Sequence, residues 1–384
     1  MKLTEYSEAF ARFDTPFYFY NMDILDNTLR TYMKLLTRYG YKAHYALKAN
    51  ANPRILEIIL RSGFGADCVS GNEVRLALDM GFGPENIVFA GVGKTDKEIQ
   101  TALQNDLFSI NCESIPEIQV VNAQAAQMGK KACISLRLNP NIDAHTHQKI
   151  TTGRSKDKFG ISEWMLPEVM EVLKDSKNLK IKGLHFHVGS QVTNMSVFET
   201  VCEKANEFQS WFEQHGYSCE YINLGGGLGI DYNDPLEHPL APFDTYFETL
   251  HKHLEVRKGQ KVHLEPGRSL VGQCGFLISR VLFVKIGRGK KFAIIDAGMN
   301  DLIRPALYGA QHAIVNLTST GKPVHYDVVG PVCESSDRFG RSVSLAACRR
   351  GDLLAICSAG AYGQVMAMRY NLRDLAPAVY STDI

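Results

Sequence analysis

The feature that most constrains the fold is a regular alternation of short apolar strands and helical stretches between Lys42 and Arg268. Eight strands are predicted, at Lys42–Lys48, Gly65–Val69, Ile87–Gly91, Leu107–Asn111, Ala132–Asn139, Ile181–Val188, Cys219–Leu224 and Lys261–Leu264. Helical patterns separate them, such as Asn52–Ser62, Gly71–Met80, Asp96–Asn105, Ser114–Met128, Trp164–Asp175 and Val197–His215. This alternation implies parallel strands with right-handed crossovers. It predicts a (β/α)8 barrel of the TIM type, with a doubly wound open sheet as the alternative.

The pattern changes after about Arg268, where strand-like runs are separated by turns rather than by long helices. These runs are Gly275–Gly287, Lys291–Ala297, Pro323–Val329 and Leu353–Cys357. They predict a mostly antiparallel β-sandwich or barrel domain. The early strand Pro16–Tyr20 has no barrel partner in sequence, so we expect it to pair with this second domain. The predicted domains are therefore a barrel over 24–268 and a β domain formed by 1–23 plus 269–384.

Charge and cysteine content narrow the class of protein. The 384 residues include 42 basic and 41 acidic side chains, a balance that gives no electrostatic basis for binding nucleic acid or an anionic membrane. The nine cysteines are scattered without a C-x-x-C pair, which disfavours a disulfide framework or a structural zinc site. The amino-terminal residues lack an apolar signal core. We therefore expect a cytoplasmic protein that acts on a small molecule.

Reactive or polar residues stand where the predicted strands end. They are Lys48, Asp67, Arg137, His185, His187, Gly225–Gly229, Glu265 and Arg268. In a barrel, catalytic groups come from the C-terminal ends of several different strands. Because a stabilising network has no reason to favour one end, their common location predicts a functional site.

Lys48 is the most informative of these residues. It follows the apolar residues Ala46 and Leu47, where burial would lower the pKa of the amine. A neutral amine can form a Schiff base with an aldehyde or ketone. Taken alone, a lysine that snorkels from a strand end into water is the more common explanation.

The residues at two further strand ends favour the Schiff-base role of Lys48. The run Gly225–Gly229 could bring backbone N–H groups close to a phosphate, although a tight turn explains a glycine run about as well. Arg268 could supply the matching positive charge. Glu265 could pair with the pyridine nitrogen of pyridoxal 5′-phosphate (PLP) and keep it protonated. A Glu265–Arg268 ion pair would leave Lys48 unexplained, so together these residues predict PLP as the cofactor.

His185 and His187 lie two residues apart on one face of a predicted strand. This spacing suits a metal, but no third ligand is evident from spacing, and we predict no metal site. A histidine packed in the core is the usual explanation for either residue. An imidazole stacked on a flat aromatic cofactor is the third interpretation.

The sequence resembles the barrel-type (fold type III) PLP-dependent decarboxylases. The strings that carry the resemblance are Tyr45–Asn50, His185–Gln191, Gly225–Gly229 and Glu265–Arg268. Within that family the second half resembles the diaminopimelate decarboxylases, through Asp296–Ala310, Val329–Asp337 and Gly360–Gly363. The loop from Thr151 to Ile161 is similar as well, while the behaviour of the loop 145–158 stays open. The resemblance runs from about Pro16 to Asn371.

The resemblance implies a role for each residue of the cofactor site. Lys48 would hold PLP as a Schiff base, His187 would stack on its ring, and Glu265 would hold its pyridine nitrogen. The cofactor site would also include Asp67, Ser190, the backbone of Gly225, Gly226 and Gly227, Gly267, Arg268 and Tyr362.

The resemblance also implies how substrate is bound. Arg268, Arg304 and Tyr308 would bind the carboxylate that is not lost, Glu334 would bind the distal ammonium, and Tyr362 would lie near both ligands. Cys333 would be the general acid that returns a proton to the α-carbon, although a buried small hydrophobe is the commoner state of a free cysteine. Cys333 and Glu334 would reach the site from the other subunit of a homodimer.

The implied activity is decarboxylation of meso-2,6-diaminopimelate to L-lysine, the last step of lysine biosynthesis. This substrate carries an amino-acid group at both ends, so its distal end offers a carboxylate and an ammonium. Arg304 and Glu334 supply both complementary charges, which disfavours a decarboxylase for arginine or carboxynorspermidine. Glu265 disfavours a racemase, which would be expected to avoid a carboxylate at the ring nitrogen. A non-catalytic PLP-binding protein would not need the second domain, and an inactive homologue would be expected to have lost Lys48 or Cys333.

Two stretches depart from the family pattern. Gln311 stands where an aromatic residue is common, and Gln364–Arg369 replaces a usually smaller and more polar stretch. Neither stretch touches a residue named above. They leave open the pocket wall near Tyr362 and the dimer surface.

Overall fold

The structure is a computed structural model that describes residues 3–142, 153 and 157–384. The loop 145–158 therefore lies outside the described residues, apart from Gly153, Asp157 and Lys158. The described residues form two compact units. The barrel unit consists of Leu29–Gly229 and Pro242–Gly267, and the β unit consists of Met1–Thr28, Ile230–Ala241 and Arg268–Ile384.

The strands in chain order are β1 (Phe17–Tyr20), β2 (Lys42–Ala46), β3 (Gly65–Cys68), β4 (Ile87–Phe89), β5 (Ser109–Cys112), β6 (Ala132–Asn139), β7 (Ile161–Ser162), β8 (Leu179–His185), β9 (Tyr221–Asn223), β10 (Lys261–Leu264), β11 (Gly275–Gly287), β12 (Lys290–Ile295), β13 (Ile314–Asn316), β14 (Pro323–Val329), β15 (Arg338–Ala346), β16 (Leu353–Ile356) and β17 (Ala378–Tyr380). The α-helices are α1 (Ser7–Phe10), α2 (Met22–Tyr39), α3 (Pro53–Arg61), α4 (Gly71–Asp79), α5 (Asp96–Gln104), α6 (Ile115–Gln127), α7 (Leu166–Asp175), α8 (Met195–Gln214), α9 (Phe243–His253), α10 (Arg268–Val271) and α11 (Arg304–Tyr308). Short 3-10 turns include Leu47–Ala49, directly after β2.

The barrel unit contains a closed ring of eight parallel strands, which confirms the predicted (β/α)8 barrel. The order around the ring is β2, β3, β4, β5, β6, β8, β9 and β10, and β10 pairs with β2 again. The short strand β7 pairs with the end of β6. Because every pairing in the ring is parallel, the strand ends that lead into Lys48 and Glu265 lie on the same side.

Local sequence signals explain where the barrel helices begin. The side chains of Asn52, Ser70, Thr95, Ser114 and Asn194 each accept a hydrogen bond from a backbone N–H in the first turn of the following helix. These short polar residues satisfy donors that the helix itself leaves without partners.

The amino-terminal ends of the barrel strands are closed by a stack of rings. His44 Nε2 lies 2.9 Å from His263 Nδ1, and the other nitrogen of His44 lies 2.9 Å from the carbonyl oxygen of Asn86. The rings of Phe108 and Tyr221 pack on His263, with centroids 5.3 and 4.6 Å away. Burial lowers the pKa of His44, and it lowers the pKa of His263 to about 2. Both imidazoles are therefore neutral in the folded protein.

The β unit contains a mostly antiparallel sheet of eight strands, as predicted. Strand β1 pairs antiparallel with β11, so the prediction that Pro16–Tyr20 joins the second domain is confirmed. Two pairings are parallel, β1 with β17 and β12 with β14. The core of this unit includes Phe10, Phe17, Phe19, Phe276 and Ile278. Among the described helices, none is long and apolar enough to cross a membrane.

Candidate active site

Lys48 lies on the turn that follows β2, beside a buried carboxylate. Its Nζ is 3.4 Å from Oδ2 of Asp67, which is fully buried in β3. Burial raises the pKa of Asp67 to about 7, although Lys48 acts in the opposite direction. The Lys48 side chain keeps 35% of its surface exposed, so the amine can be reached by a small molecule.

Glu265 follows β10 and is a buried carboxylate with a hydrogen-bond donor on each oxygen. His185 Nε2 donates to its Oε2 at 2.9 Å, and Asn223 Nδ2 donates to its Oε1 at 2.7 Å. Burial acts to raise the pKa of Glu265, but His185, Lys48 and His187 outweigh it and hold that pKa well below its ordinary value. Glu265 is therefore an ionised carboxylate held in place by two neighbours.

His187 is held as a neutral imidazole. The N–H of Gly226 donates to its Nδ1 at 3.2 Å, which places the ring proton on Nε2. Burial lowers the pKa of His187 well below its ordinary value, and the positive charges of Lys48 and Arg137 act in the same direction. A neutral ring with a fixed tautomer suits stacking on a flat cofactor.

The glycine run is both a tight turn and a source of one backbone donor. A Cβ on Gly225 would lie 2.2 Å from the carbonyl oxygen of Phe186, and one on Gly226 would lie 2.1 Å from that of Glu265. The N–H of Gly225 donates to Asn223 Oδ1, and that of Gly226 donates to His187 as described above. Within the described part of the chain, no acceptor binds the N–H of Gly227. That group can therefore face an anion.

Two more of the predicted residues lie close to these loops in the chain. A Cβ on Gly267 would lie 3.1 Å from Cβ of Ala49, so a larger residue there would crowd the Lys48 turn. Ser190 lies half-buried after β8. Arg137 pairs with Glu113 at 2.8 Å inside the unit, and this ion pair gives it a structural role.

In the β unit, three of the predicted residues group around Tyr232. The Tyr232 hydroxyl accepts hydrogen bonds from Nη1 of Arg268 at 2.5 Å and from Nη1 of Arg304 at 2.9 Å. The guanidinium carbon of Arg268 also lies 4.9 Å from the centre of the Tyr362 ring. Tyr362 has a φ of 57°, a left-handed conformation that is uncommon for a side chain of this size.

Arg304 is buried, and no counter-ion pairs with it among the described residues. Its Nη1 donates to Nε2 of His312 at 2.9 Å, because Nδ1–H of His312 donates to the carbonyl oxygen of Cys357. Only 4% of Arg304 is exposed, and burial lowers the pKa of its guanidinium. Among the described residues no carboxylate pairs with Arg304, and its Nε has no hydrogen-bond acceptor. A buried cation of this kind is stabilised when an anion binds.

Cys333 and Glu334 lie on an exposed loop of the β unit. Buried Asp337 fixes this loop by accepting the N–H groups of Val332 and Met299 at 2.6 and 2.7 Å. Cys333 is exposed, so it is not the buried hydrophobe that a free cysteine usually is. Glu334 accepts hydrogen bonds from the Tyr370 hydroxyl and from Ser336 Oγ, and these bonds lower its pKa.

The structure divides the predicted site residues between the two units. The barrel unit holds Lys48, Asp67, His187, Ser190, Gly226, Gly227, Glu265 and Gly267, and the β unit holds Arg268, Arg304, Tyr308, Cys333, Glu334 and Tyr362. Sequence reasoning gave no role to Asn223, Tyr232 or His312. Asn223 had a usable signal, since it closes a strand just before the glycine run. Tyr232 had none, because its segment falls within the chain range predicted for the barrel.

Known proteins resemble this chain over nearly its whole length. A family model described as "Pyridoxal-dependent decarboxylase, pyridoxal binding domain" matches residues 23–272. The diaminopimelate decarboxylase of Bacteroides thetaiotaomicron is 50% identical over 98% of this chain and 97% of its own length. That of Zymomonas mobilis is 41% identical over 97% of this chain and 89% of its own length. The structure of diaminopimelate decarboxylase from Helicobacter pylori complexed with L-lysine matches with a TM-score of 0.92 at 38% identity, covering 99% of this chain and 94% of that one.

Proposed function

The chain belongs to the family of pyridoxal-dependent decarboxylases, and on that basis we propose that it decarboxylates meso-2,6-diaminopimelate to L-lysine and carbon dioxide. The observation that carries the substrate assignment is the buried Arg304 without a carboxylate partner among the described residues. A substrate that keeps one carboxylate after the reaction supplies the anion that this guanidinium lacks. The H. pylori relative, whose structure is complexed with L-lysine, supports the same product.

The barrel residues fit the family's cofactor, PLP. When bound, PLP accepts the electron pair of the bond that breaks at the substrate α-carbon. Lys48 would supply the amine that holds the cofactor covalently. Glu265 is ionised and already oriented by His185 and Asn223, so it can pair with a protonated pyridine nitrogen. His187, neutral and fixed by Gly226, offers its ring face for stacking.

We infer the remaining cofactor contacts from the resemblance to the family. We assign the phosphate to the N–H of Gly227, the hydroxyl of Ser190, and the side chains of Arg268 and Tyr362. Asp67 lies against Lys48 and would set the charge of its amine. Gly267 permits the close packing of the Lys48 turn.

We assign the distal end of the substrate to residues of the β unit. Arg304 binds the retained carboxylate together with Arg268 and Tyr308, and His312 holds Arg304 through one of its Nη1 hydrogens. Glu334 binds the distal ammonium, since the hydrogen bonds from Tyr370 and Ser336 favour its ionised form.

We propose that Cys333 donates the proton that returns to the α-carbon, and that it does so in the site of a second subunit. Cys333 and Glu334 are exposed, as residues that serve another chain must be. Large apolar side chains are exposed along the following segment, namely Val365, Met368, Tyr370, Leu372 and Leu375. A surface of this kind supports a homodimer contact.

The proposed function is tested by measuring carbon dioxide release from meso-diaminopimelate, L-lysine, L-ornithine and L-arginine with PLP-loaded protein. We expect turnover of meso-diaminopimelate and little of the other three, because they lack the distal carboxylate. Turnover of another amino acid without turnover of diaminopimelate would refute the substrate. Racemisation of an amino acid without release of carbon dioxide would refute the reaction.

The role of Cys333 is tested by Cys333→Ala. We expect turnover to fall by about a hundredfold or more while PLP stays bound, because general acid catalysis contributes about this much. Cys348→Ala is the control, since Cys348 lies in the same unit and serves no proposed step. Equal turnover of Cys333→Ala and the control would remove the acid role. Mixing Cys333→Ala with Lys48→Ala subunits should restore partial activity only if sites are shared.

A further inference from the structure

A second group of cations surrounds a cleft of the β unit, apart from the residues assigned above. The cleft has a volume of about 490 Å³. Three strands contribute to its wall, with Lys290 and Lys291 from β12, His325 to Asp327 from β14, and Arg338, Arg341 and Ser342 from β15. Its volume is that of a site for a small metabolite.

The charge of this cleft is unbalanced. Four side chains are cationic, and Asp327 is the one acid in the wall. Both oxygens of Asp327 already have partners. Its Oδ1 accepts the N–H of Ser342 at 2.9 Å, and its Oδ2 lies 3.5 Å from Nζ of Lys290. Within the described residues Lys291 and Arg341 have no acidic partner, and Arg338 forms no ion pair, although its charge helps to lower the pKa of Asp327. The Nε of Arg338 is buried and has no acceptor there.

The backbone holds the cleft open. The pairing of β14 with β15 shifts register on both sides of Val328, next to Asp327. Ser342, on the opposite strand, has a φ of 50°, and its N–H is the group that Asp327 accepts. Bulges re-aim side chains and recur beside binding sites. The bond from Asp327 therefore fixes an irregular stretch of β15 that carries Arg341.

We propose that this cleft binds a small anion with two or more negative charges, of the phosphate or polycarboxylate class. Arginine suits such a ligand, since its planar group forms paired hydrogen bonds to two oxygens of one oxyanion. Arg338 and Arg341 provide two such groups, and Lys291 adds a third charge. The inference is independent of the proposed function.

The test is calorimetric titration of full-length, PLP-saturated protein with pyrophosphate and with citrate at constant ionic strength. Saturation with PLP fills the cofactor's own phosphate site before the titration begins. We expect saturable binding of at least one probe, with one equivalent per chain, and the tighter probe identifies the class of anion. The double variant Arg338→Gln/Arg341→Gln should weaken it by about tenfold or more, the value of a charged hydrogen bond.

Arg349→Gln is the matched control, because Arg349 is an exposed arginine of the same unit that lies 3.5 Å from Asp352. It removes one positive charge outside the cleft, as Lys291→Gln removes one inside it, and it should leave the affinity unchanged. Absence of saturable binding to the wild-type protein overturns the proposal, as does equal weakening by the control. If the double variant does not fold, by circular dichroism, Lys291→Gln replaces it. Lys291 is exposed, and an unchanged affinity in Lys291→Gln would also overturn the site.

Discussion

Glu265 of the barrel unit and Arg304 of the β unit are two buried charges with opposite kinds of partner. In the barrel unit, Glu265 has a protein donor on each of its oxygens, and its pKa lies well below the ordinary value. In the β unit, Arg304 is equally buried, but its partners are the neutral groups of Tyr232 and His312. The first charge is stabilised before any ligand arrives. The second lacks an anion among the described residues.

This difference matches the two kinds of ligand in the proposed function. A cofactor that stays bound is best served by a carboxylate whose orientation is already fixed, since preorganised charges need no rearrangement during the reaction. A substrate that enters and leaves in each cycle is better served by a cation whose partner is missing, because binding then relieves the cost of the buried charge.

The largest effect is expected from removing the anchor of the cofactor. In Lys48→Ala, turnover should fall by at least about a thousandfold, because loss of a covalent catalytic group has effects of this size or more. The visible absorbance of the Lys48–PLP Schiff base should also disappear, as recorded by spectrophotometry. Lys180→Ala is the control, since Lys180 is an exposed lysine of the same unit, paired with Glu220. A persistent band in Lys48→Ala would show that another lysine holds the cofactor.

The Glu265→Gln variant removes the buried negative charge of the barrel unit. The amide keeps the shape and loses the charge, so turnover should fall by about a hundredfold to a thousandfold, as for other preorganised electrostatic contacts. Lys48 is intact in this variant, and the absorbance should therefore persist. The apparent melting temperature should fall, because the donor on His185 Nε2 loses its charged acceptor. Wild-type turnover in Glu265→Gln would show that the carboxylate has no part in the reaction.

The Arg304→Met variant removes the buried positive charge of the β unit. It should lower kcat/KM for diaminopimelate by about tenfold to a hundredfold, mostly through KM, because a charged contact to the retained carboxylate is lost. Its melting temperature without substrate should fall less than that of Glu265→Gln, because removal of the buried charge offsets the donors that Tyr232 and His312 lose. An equal loss of stability in Arg304→Met and Glu265→Gln would erase the contrast.

Much of the fold could be predicted because its signals are local. The predicted strands Ala132–Asn139 and Lys261–Leu264 match β6 and β10 residue for residue. The strand β15 was not predicted, because Arg341 interrupts the alternation of the apolar residues Phe339, Val343 and Leu345. Tyr232 and Arg304 lie 72 residues apart, and no spacing rule links them. The partners of a buried charge depend on tertiary packing, so sequence reasoning found the charges and missed Asn223 and His312.

The smallest effect concerns stability in acid. It tests whether a buried neutral histidine of the barrel unit, His263, makes the folded protein less stable as the pH falls. Burial lowers the pKa of His263 to about 2, so below pH 6.5 the unfolded chain binds a proton that the folded chain does not. Stability is therefore fully present above that pH and falls as the pH falls. The expected loss is about 1 kcal/mol between pH 7 and pH 6 for one such histidine.

Melting curves of wild-type, His263→Phe and His215→Phe proteins from pH 7.5 to 5 measure this effect. His263→Phe should be less stable at neutral pH, because His44 Nε2 loses its partner, yet its melting temperature should depend less on pH. His215 is an exposed histidine of the same unit, and its replacement should leave the slope unchanged. An equal slope in His263→Phe and wild type would mean that the acid sensitivity arises elsewhere. The carboxylate Asp67, with its raised pKa, cannot mimic this result, because it takes up its proton in the folded state at higher pH than in the unfolded chain and so acts with the opposite sign.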